Sequence, residues 1–438
     1  MALFSQSHLN PGVRKREVFG WAMYDFANSG YTTVVITAVF AAYFVGGVAG
    51  GEPWATLAWT LALSASHLMV MLSMPALGAF ADQHANKKRL LMVFTLGCVV
   101  STLALAWVGP GDVALAVVLI VISNTFFSYG EALTAAFLPE LARPEAMGKV
   151  SGWGWSFGYL GGMLTLGICL SYVLLAQAQG HQAAQFVPVT MLITAVIYGL
   201  AALVTFALLK ERAQAKPDPL KHGGFADSWR RLRQTWQQAR AYQDFVTLML
   251  CAVAYQAGVA VAITLAAIYA EQVIGFKPQE TMLLIFALNL AAAAGAFSWG
   301  YVQDRVGHKL ALGLTLVGWV LTCVLAATSQ DKADFWWAAA IAGLCMGSSQ
   351  SAGRAMAGLL APRAQAAEFY GLWSFATRLA SVVGPVSYGI ITWVTDGNQR
   401  LAILGTSVLF LLGLVILTRV DVQRGQAAAH AANFRAGA

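Results

Sequence analysis

Twelve apolar stretches constrain this chain more than any other feature. They lie near 18–48, 56–81, 88–108, 113–138, 150–176, 186–209, 244–273, 281–303, 308–328, 333–361, 369–395 and 399–419. Each is about 20 residues or longer, enough for a helix to cross a bilayer at 1.5 Å per residue. In hydrocarbon the backbone must satisfy its own hydrogen bonds, so spans of this length are helices. The expected fold class is therefore an all-α membrane protein of twelve transmembrane helices. Only 11% of the 438 residues are charged and 58% are hydrophobic, against about 25% charged in soluble domains. This balance excludes a soluble enzyme or a nucleic-acid-binding protein. The five cysteines all fall in apolar runs, with no disulfide framework and no metal-ligand spacing. No metal and no cofactor are expected. Met1 to Arg16 lacks an apolar core and a cleavage site, so no signal peptide is expected there.

The basic residues set the topology. Lys277, Lys332 and Arg400 fall between spans on one side, Arg354 and Arg378 fall inside spans, and the other 22 of the 27 Lys and Arg gather on the opposite side. Cytoplasmic loops carry such an excess. Both termini are therefore expected in the cytoplasm, in a multi-pass protein of a bacterial inner membrane. The expected organisation is a cytoplasmic N-terminus (1–17), a six-helix half (18–209), a cytoplasmic linker (210–243), a second six-helix half (244–420) and a cytoplasmic tail (421–438). Within the linker, Trp229, Leu232 and Trp236 share one helical face, with Arg230, Arg231, Arg233 and Arg240 elsewhere. That pattern predicts an amphipathic helix lying on an anionic inner leaflet. The Ala-rich tail after Gln423 reads as weakly ordered.

The halves repeat. Gly78-Ala-Phe-Ala-Asp82 ends span 2 and is followed by Lys87-Lys88-Arg89; Gly300-Tyr-Val-Gln-Asp304 ends span 8 and is followed by Arg305, Gly307 and Lys309. A small residue lets helices approach closely, and the Asp can face a helix N-terminus or a basic side chain. The duplicated motif resembles the loop motif of the major facilitator superfamily, which implies two pseudo-symmetric six-helix halves and a latch on the cytoplasmic side. The first copy departs from the pattern at Gln83 and Ala85, which stand where Arg and Gly are usual.

Charges inside spans are costly and mark pathways. Asp25 lies in span 1, Glu131 in span 4, Arg354 in span 10 and Arg378 in span 11. Glu131 and Arg354 each lie eight residues before a span-ending proline, Pro139 and Pro362. This matching predicts that the two face each other at equal depth and close the cytoplasmic side, or hold the bundle together as a static pair. Arg378 lies near the midplane and offers a donor fork to a carboxylate or phosphate. Its alternative is an internal partner for Asp25 or Glu131, and Asp25 holding Arg378 until substrate replaces it is one such arrangement. Asp25 is also a candidate proton carrier. Asn28, three residues on, is expected on the same helix face, with Tyr24 beside it. Asn124, Tyr129, Trp155, Gln350 and Trp373 are candidate cavity walls, or polar contacts between helices. His67 reads as a packing residue, and Trp336-Trp337 as an interfacial belt.

Gly158-x-x-Gly161-Gly162 and Gly384-Pro385 lie within spans and read as close-packing and bending signals, not as a nucleotide site. No Walker sequence accompanies them. The stretch Trp21 to Gly30 resembles the first-span signature of the "unknown major facilitator" family, which includes fungal vacuolar amino-acid effluxers of autophagy. Leu138-Pro139-Glu140-Leu141, Ser151-Gly152-Trp153-Gly154-Trp155, Gln350-Ser351-Ala352-Gly353-Arg354 and Glu368-Phe369-Tyr370-Gly371 carry the same resemblance. The family's Ser-Arg-Ser around the span 10 Arg is here Gly353-Arg354-Ala355. Its usual Lys in span 11 is here Arg378. The resemblance implies amino acids or similar small polar metabolites as substrates.

The resulting expectation is a monomeric secondary transporter that moves a small zwitterionic or anionic metabolite by alternating access, coupled to protons. Its partners would be the substrate, protons and the lipid bilayer. An exporter of amphipathic compounds or lipids is the alternative, and a non-transporting membrane receptor is the alternative of another class. No span offers an adjacent nucleophile and base, so an enzyme is not expected.

Overall fold

The structure is a computed structural model that describes residues 5–213 and 242–437. Among these, twelve long helical segments follow one another: α1 (Lys15–Val48), α2 (Ala55–His84), α3 (Lys87–Ala104), α4 (Val113–Ala135), α5 (Met147–Ala178), α6 (Ala183–Leu208), α7 (Gln243–Tyr269), α8 (Pro278–Val306), α9 (His308–Thr328), α10 (Lys332–Leu360), α11 (Ala366–Val394) and α12 (Gln399–Thr418). All but α10 and α11 are long and apolar enough to cross a membrane by length and composition. Those two carry Arg354 and Arg378. α10 can be less apolar because protein surrounds it: from Ser348 to Leu360 every residue but Gln350 is buried.

The outward faces are apolar stripes at helical spacing. Leu57, Leu61, Leu68 and Leu72 are exposed along α2, and Leu310, Leu314, Val317 and Leu321 along α9. Exposure of this kind suits contact with lipid. Trp337 is exposed near the start of α10, whereas Trp336 packs towards Phe276.

The halves have different interiors. In the first, Tyr24, Asn28 and Tyr31 recur at i, i+4 and i+7 and turn inward together. Tyr24 shares hydrogen bonds with Thr95 (2.8 Å) and Tyr198, Tyr198 donates to Asn28 Oδ1 (2.8 Å), and Tyr31 bonds Ser123 (2.8 Å). In the second, the corresponding packing is apolar: Trp319 and Phe410 stack 5.1 Å apart and nearly parallel.

The interface between halves is tightest at the end that carries both chain termini. Gly78 abuts the backbone of Ala367, where a Cβ would come within 2.2 Å of the carbonyl oxygen; Gly300 abuts Gly148 in the same way at 2.7 Å. Both motif glycines thus serve close helix approach. Asp82 accepts the amide of Glu368 at the start of α11 (2.8 Å), and Asp304 accepts the amides of Gly148 and Lys149 at the start of α5 (2.9 and 3.1 Å). Each carboxylate caps a helix of the opposite half, where the free amides and the helix dipole favour a negative charge. Lys87 is fully buried between Asp82 and Glu140. Lys88 donates to the carbonyl of Leu209 (2.6 Å), and Lys309 to the carbonyls of Thr418 and Val420 (2.7 and 2.8 Å). These cations close the last helix of each half. Arg89 and Arg305 are exposed.

One expectation changes here. The tail is not weakly ordered but forms α13 (Val422–Gly437), fixed by Arg424 on Asp244 (2.8 Å). Alanine, a strong helix former, recurs along it, and Gly425 lets the helix sit against Leu360 and Asp244. The amphipathic linker helix falls outside the described residues. The N-terminal segment adds an unanticipated strap. Asn10 donates to the carbonyls of Pro139, Glu140 and Ala142 and accepts from Arg363 of the opposite half.

Candidate functional site

Besides the Lys149–Asp304 contact of the latch (3.6 Å), two acid–base pairs formed by the charges inside the spans cross between the halves. Both acids come from the first half and both bases from the second. Their partners differ from the expectation. Arg354 pairs with Asp25 (2.7 Å), and Arg378 pairs with Glu131. The matched distances of Glu131 and Arg354 from their prolines fix depth but not azimuth. α10 turns Arg354 towards α1 and α5, and α11 carries Arg378 to α4. Neither a Glu131–Arg354 contact nor an Asp25–Arg378 contact forms.

Arg354 sits in a cage. Its guanidinium donates to Asp25 Oδ2, to Ser151 Oγ (3.2 Å) and to the Ser151 carbonyl (2.8 Å). It also lies over the rings of Trp21 (4.7 Å to the ring centre) and Trp155 (5.2 Å). A planar, weakly hydrated cation suits this arrangement of fork and stacked rings. Gly154 makes it possible: a Cβ there would fall 2.4 Å from Asp25 Oδ2 and 2.5 Å from the guanidinium. Tyr370 holds the helix by donating to the Arg354 carbonyl (2.8 Å).

The second pair is more open. The Glu131 side chain is 40% exposed, against 12% for Asp25. Arg378 Nε is buried with no hydrogen-bond partner, and His67 on α2 lies within reach of its charge. Part of the Arg378 fork is therefore unspent, beside a carboxylate that reaches open space. Between α7 and α10, Gln256 and Gln350 exchange side-chain hydrogen bonds (2.9 and 3.2 Å).

Other candidates take structural places. Tyr24 and Asn28 point into the first half, away from the interface. Asn28 and Asp25 serve different neighbours: Asn28 accepts from Tyr198 of the first half, whereas Asp25 accepts from Arg354 of the second. Asn124 donates to Ser66 (2.5 Å) and Tyr129 bonds Ser73 (2.5 Å), so both tie α4 to α2. Trp373 is buried against Gly353. Trp155 is the stacking platform, and its indole N–H is buried without a partner. Ser151, Trp21, Gly154 and Gln256 belong to the site although the charges alone did not point to them. The signal that could have found three of them is their place in the motifs of spans 1 and 5 that carry the family resemblance, Trp21 to Gly30 and Ser151 to Trp155.

Outside the spans, two groups respond to burial. His8, near Trp153 in the strap, is shifted below its ordinary value of 6.5 by burial and then by Lys149. Burial pushes Glu211 above its ordinary value, opposed by the Lys88 amide. Among the described residues no group of His, Cys, Asp and Glu could hold a metal ion.

Two helical halves joined by charged pairs in their midst define a secondary transporter of the major facilitator type. The human organic anion transporter MFSD10 has the same fold, with a TM-score of 0.74 at 16% identity, covering 92% of this chain and 99% of that one. The chain belongs to the family described as "Vacuole effluxer Atg22 like", whose model matches residues 47–148 and 145–430. It is 29% identical over 422 residues to the uncharacterized MFS-type transporter YxiO of Bacillus subtilis, spanning 93% of this chain and 96% of that one. It is 27% identical over 301 residues to autophagy-related protein 22-1 of Aspergillus niger, spanning 64% of this chain and 48% of that relative. The chain thus matches about half the length of the fungal protein.

Proposed function

We propose that the protein moves a small zwitterionic, amino-acid-like metabolite across a bacterial inner membrane by alternating access, coupled to protons, with both termini in the cytoplasm. The observation that carries this is the Glu131–Arg378 pair. It offers one carboxylate and one guanidinium side by side, the first partly exposed and the second with a free N–H. An α-amino acid presents the complementary charges, an ammonium for Glu131 and a carboxylate for Arg378. Binding would replace one internal ion pair by two charge-assisted contacts, and would loosen the halves at that point.

The Asp25–Arg354 pair then acts as the gate on the side of the termini. Opening that side draws Arg354 out of its cage and leaves Asp25 without its cation in a low-dielectric site. A proton can restore neutrality there. This assigns substrate to one pair and coupling to the other. The latch carboxylates Asp82 and Asp304 stabilise the same closed side.

The test is flux into proteoliposomes holding the purified full chain, with labelled amino acids and an imposed pH gradient. Stimulation by the gradient in wild type, lost in Asp25→Asn, is expected. Arg378→Ala is expected to abolish saturable uptake while Arg378→Lys retains part of it. Uptake of anionic substrate with unchanged KM in Arg378→Ala would reject the assignment of that residue. Organic anions without an amino group are a second substrate class that the Arg378 fork favours; equal competition by an amino acid and its deaminated analogue would select it.

A further inference from the structure

α2 and α11 pack antiparallel across the boundary between the halves. Gly78 abuts the backbone of Ala367, and Gly371 abuts the backbones of Met74 and Pro75. This register brings His67 on α2 level with Arg378 on α11. Each lies seven residues, about 10 Å, beyond the contact of Met74 with Gly371.

Azimuth agrees with depth. A helix turns about 100° per residue, and α2 divides that circle into three faces. Ser66 and Ser73 bond Asn124 and Tyr129 of α4 (both 2.5 Å). Leu61, Leu68 and Leu72 are exposed on the outer face. His67 falls on the third face, the stripe of Met71, Met74 and Gly78 that meets α11. The seam opens along this stripe. Gly78, Met74 and Gly371 are buried, whereas Met71, His67 and Arg378 are half-buried. His67 lies within reach of the Arg378 charge, yet its ring makes no hydrogen bond among the described residues. Arg378 Nε is likewise without a partner. A histidine kept only for packing would be enclosed or tied to a neighbouring helix, as Ser66 and Ser73 are.

The seam also limits the chemistry of what binds. Across 64–75 of α2 and 371–381 of α11, Arg378 is the only charged side chain. An amino acid spends that charge on its carboxylate and Glu131 on its ammonium, so none is left for its side chain. An uncharged imidazole offers one donor and one acceptor, and the hydroxyl of half-buried Ser64, one turn further on, offers both. Carboxamides and hydroxyls carry the matching acceptor and donor. We infer that His67 is a specificity-determining residue of the substrate site, and that the amino acid it selects carries an uncharged hydrogen-bonding side chain, a carboxamide or a hydroxyl. The inference rests on the amino-acid reading of the Glu131–Arg378 pair.

The experiment compares isosteric amino acids on the purified full chain: asparagine against leucine, and threonine against valine. Members of a pair have nearly the same shape and differ in the polar group. Affinity is read from the concentration dependence of the rise in melting temperature. Two hydrogen bonds of ordinary strength favour the polar member by about tenfold. That preference is expected in at least one pair, and the pair that shows it separates carboxamide from hydroxyl. His67→Leu and His67→Ala are expected to remove it by weakening only the polar member, whereas a structural role would weaken all four. Both variants are made so that one that fails to fold leaves the other. His67→Gln, which retains a donor and an acceptor, is expected to keep most of the preference. Equal affinity within both pairs in wild type, or an unchanged ratio in a folded His67→Leu or His67→Ala, would overturn the inference and leave the amino-acid reading standing. Tighter binding of aspartate than of asparagine would overturn the uncharged assignment. Binding of none of these amino acids removes the amino-acid reading itself, and the inference with it.

Discussion

The caged Arg354 makes the state of the transporter depend on one carboxylate. Asp25→Asn keeps the shape of that side chain and removes its charge. The guanidinium then remains against Trp21 and Trp155, held by Ser151, with no counter-charge. Removing one partner of a buried pair costs about 3–5 kcal/mol. Asp25 is 12% exposed and Arg354 7%, so residual hydration lowers this to the bottom of the range or below, ~2–3 kcal/mol. The penalty falls only on the conformation in which the halves meet. Once they part, Arg354 is hydrated whether or not residue 25 is charged. At 1.4 kcal/mol per factor of ten, the ratio of closed to open should fall about 30- to 150-fold. Spin labels at positions 84 and 305 would report it, since both are exposed and lie at the termini end of opposite halves. The five native cysteines are all buried, which favours labelling of introduced ones. The long-distance population should become dominant in Asp25→Asn. Asp25→Asn/Arg354→Gln should recover much of the short one, because the stranded charge is gone. An unchanged distance distribution in Asp25→Asn would refute the gate, whatever transport does.

Four further outcomes follow from the geometry. Gly154→Ala places a methyl against both Asp25 and Arg354; it should open the same distance distribution as Asp25→Asn, whereas Gly167→Ala, with nothing near its Cβ, should not. Asp304→Asn and Asp82→Asn each weaken a helix cap worth about 0.5–2 kcal/mol, and should lower the melting temperature and increase the open population, with the double variant near the sum. Ala85 is left-handed (φ 49°) at the position where the second motif has Gly307 (φ 94°). Left-handed backbone costs a non-glycine residue about 1–2 kcal/mol; Ala85→Gly should therefore be neutral to stabilising by thermal melt, and Gly307→Ala destabilising. His8 is held below 6.5 in the folded strap, so the unfolded strap binds the proton more readily. The docking it supports is then fully present above about pH 6.5 and weakens as pH falls below it. Protection of the Asn10 and Val13 amides, measured as exchange relative to the intrinsic rate at each pH, should fall from pH 7 to 5.5 in wild type and stay flat in His8→Gln.

Much of this was legible in the sequence because the bilayer enforces it. Span length, the duplicated Gly-x-x-x-Asp loops and the four intramembrane charges are one-dimensional signals, and they place the correct elements in the correct halves. Azimuth is not such a signal. Two residues at equal depth, such as Glu131 and Arg354, meet only if both helices turn them to the same point. The sequence holds that rotation only implicitly, in which faces are small or apolar. Gly154 illustrates this. Its lack of a side chain decides where Arg354 can go, yet in sequence it is one glycine among many. Tyr24 and Asn28 show the converse. They look functional beside Asp25, but their i, i+4, i+7 spacing with Tyr31 assigns them to an interior network. The Asn10 strap was hidden because it depends on three carbonyls contributed by residues about 130 positions away.

The distribution of charge between the halves limits how coupling can work. Inside the spans, Asp25 and Glu131 give the first half two negative charges at the interface, and Arg354 and Arg378 give the second two positive charges. Joined, the set is neutral, and parting the halves exposes both pairs at once. A zwitterion can take over only one pair, because it carries one charge of each sign. If it binds at Glu131 and Arg378, Asp25 and Arg354 still part without compensation. Water can hydrate Arg354 at the open face. Asp25 has two ways to avoid a costly bare charge: hydration, if the opening reaches α1, or a proton, if it does not. The two differ in stoichiometry. The first carries net charge zero per zwitterion, the second one proton per cycle. Flux at fixed membrane potential, with and without a pH gradient, therefore measures how far the open cavity extends past Trp21.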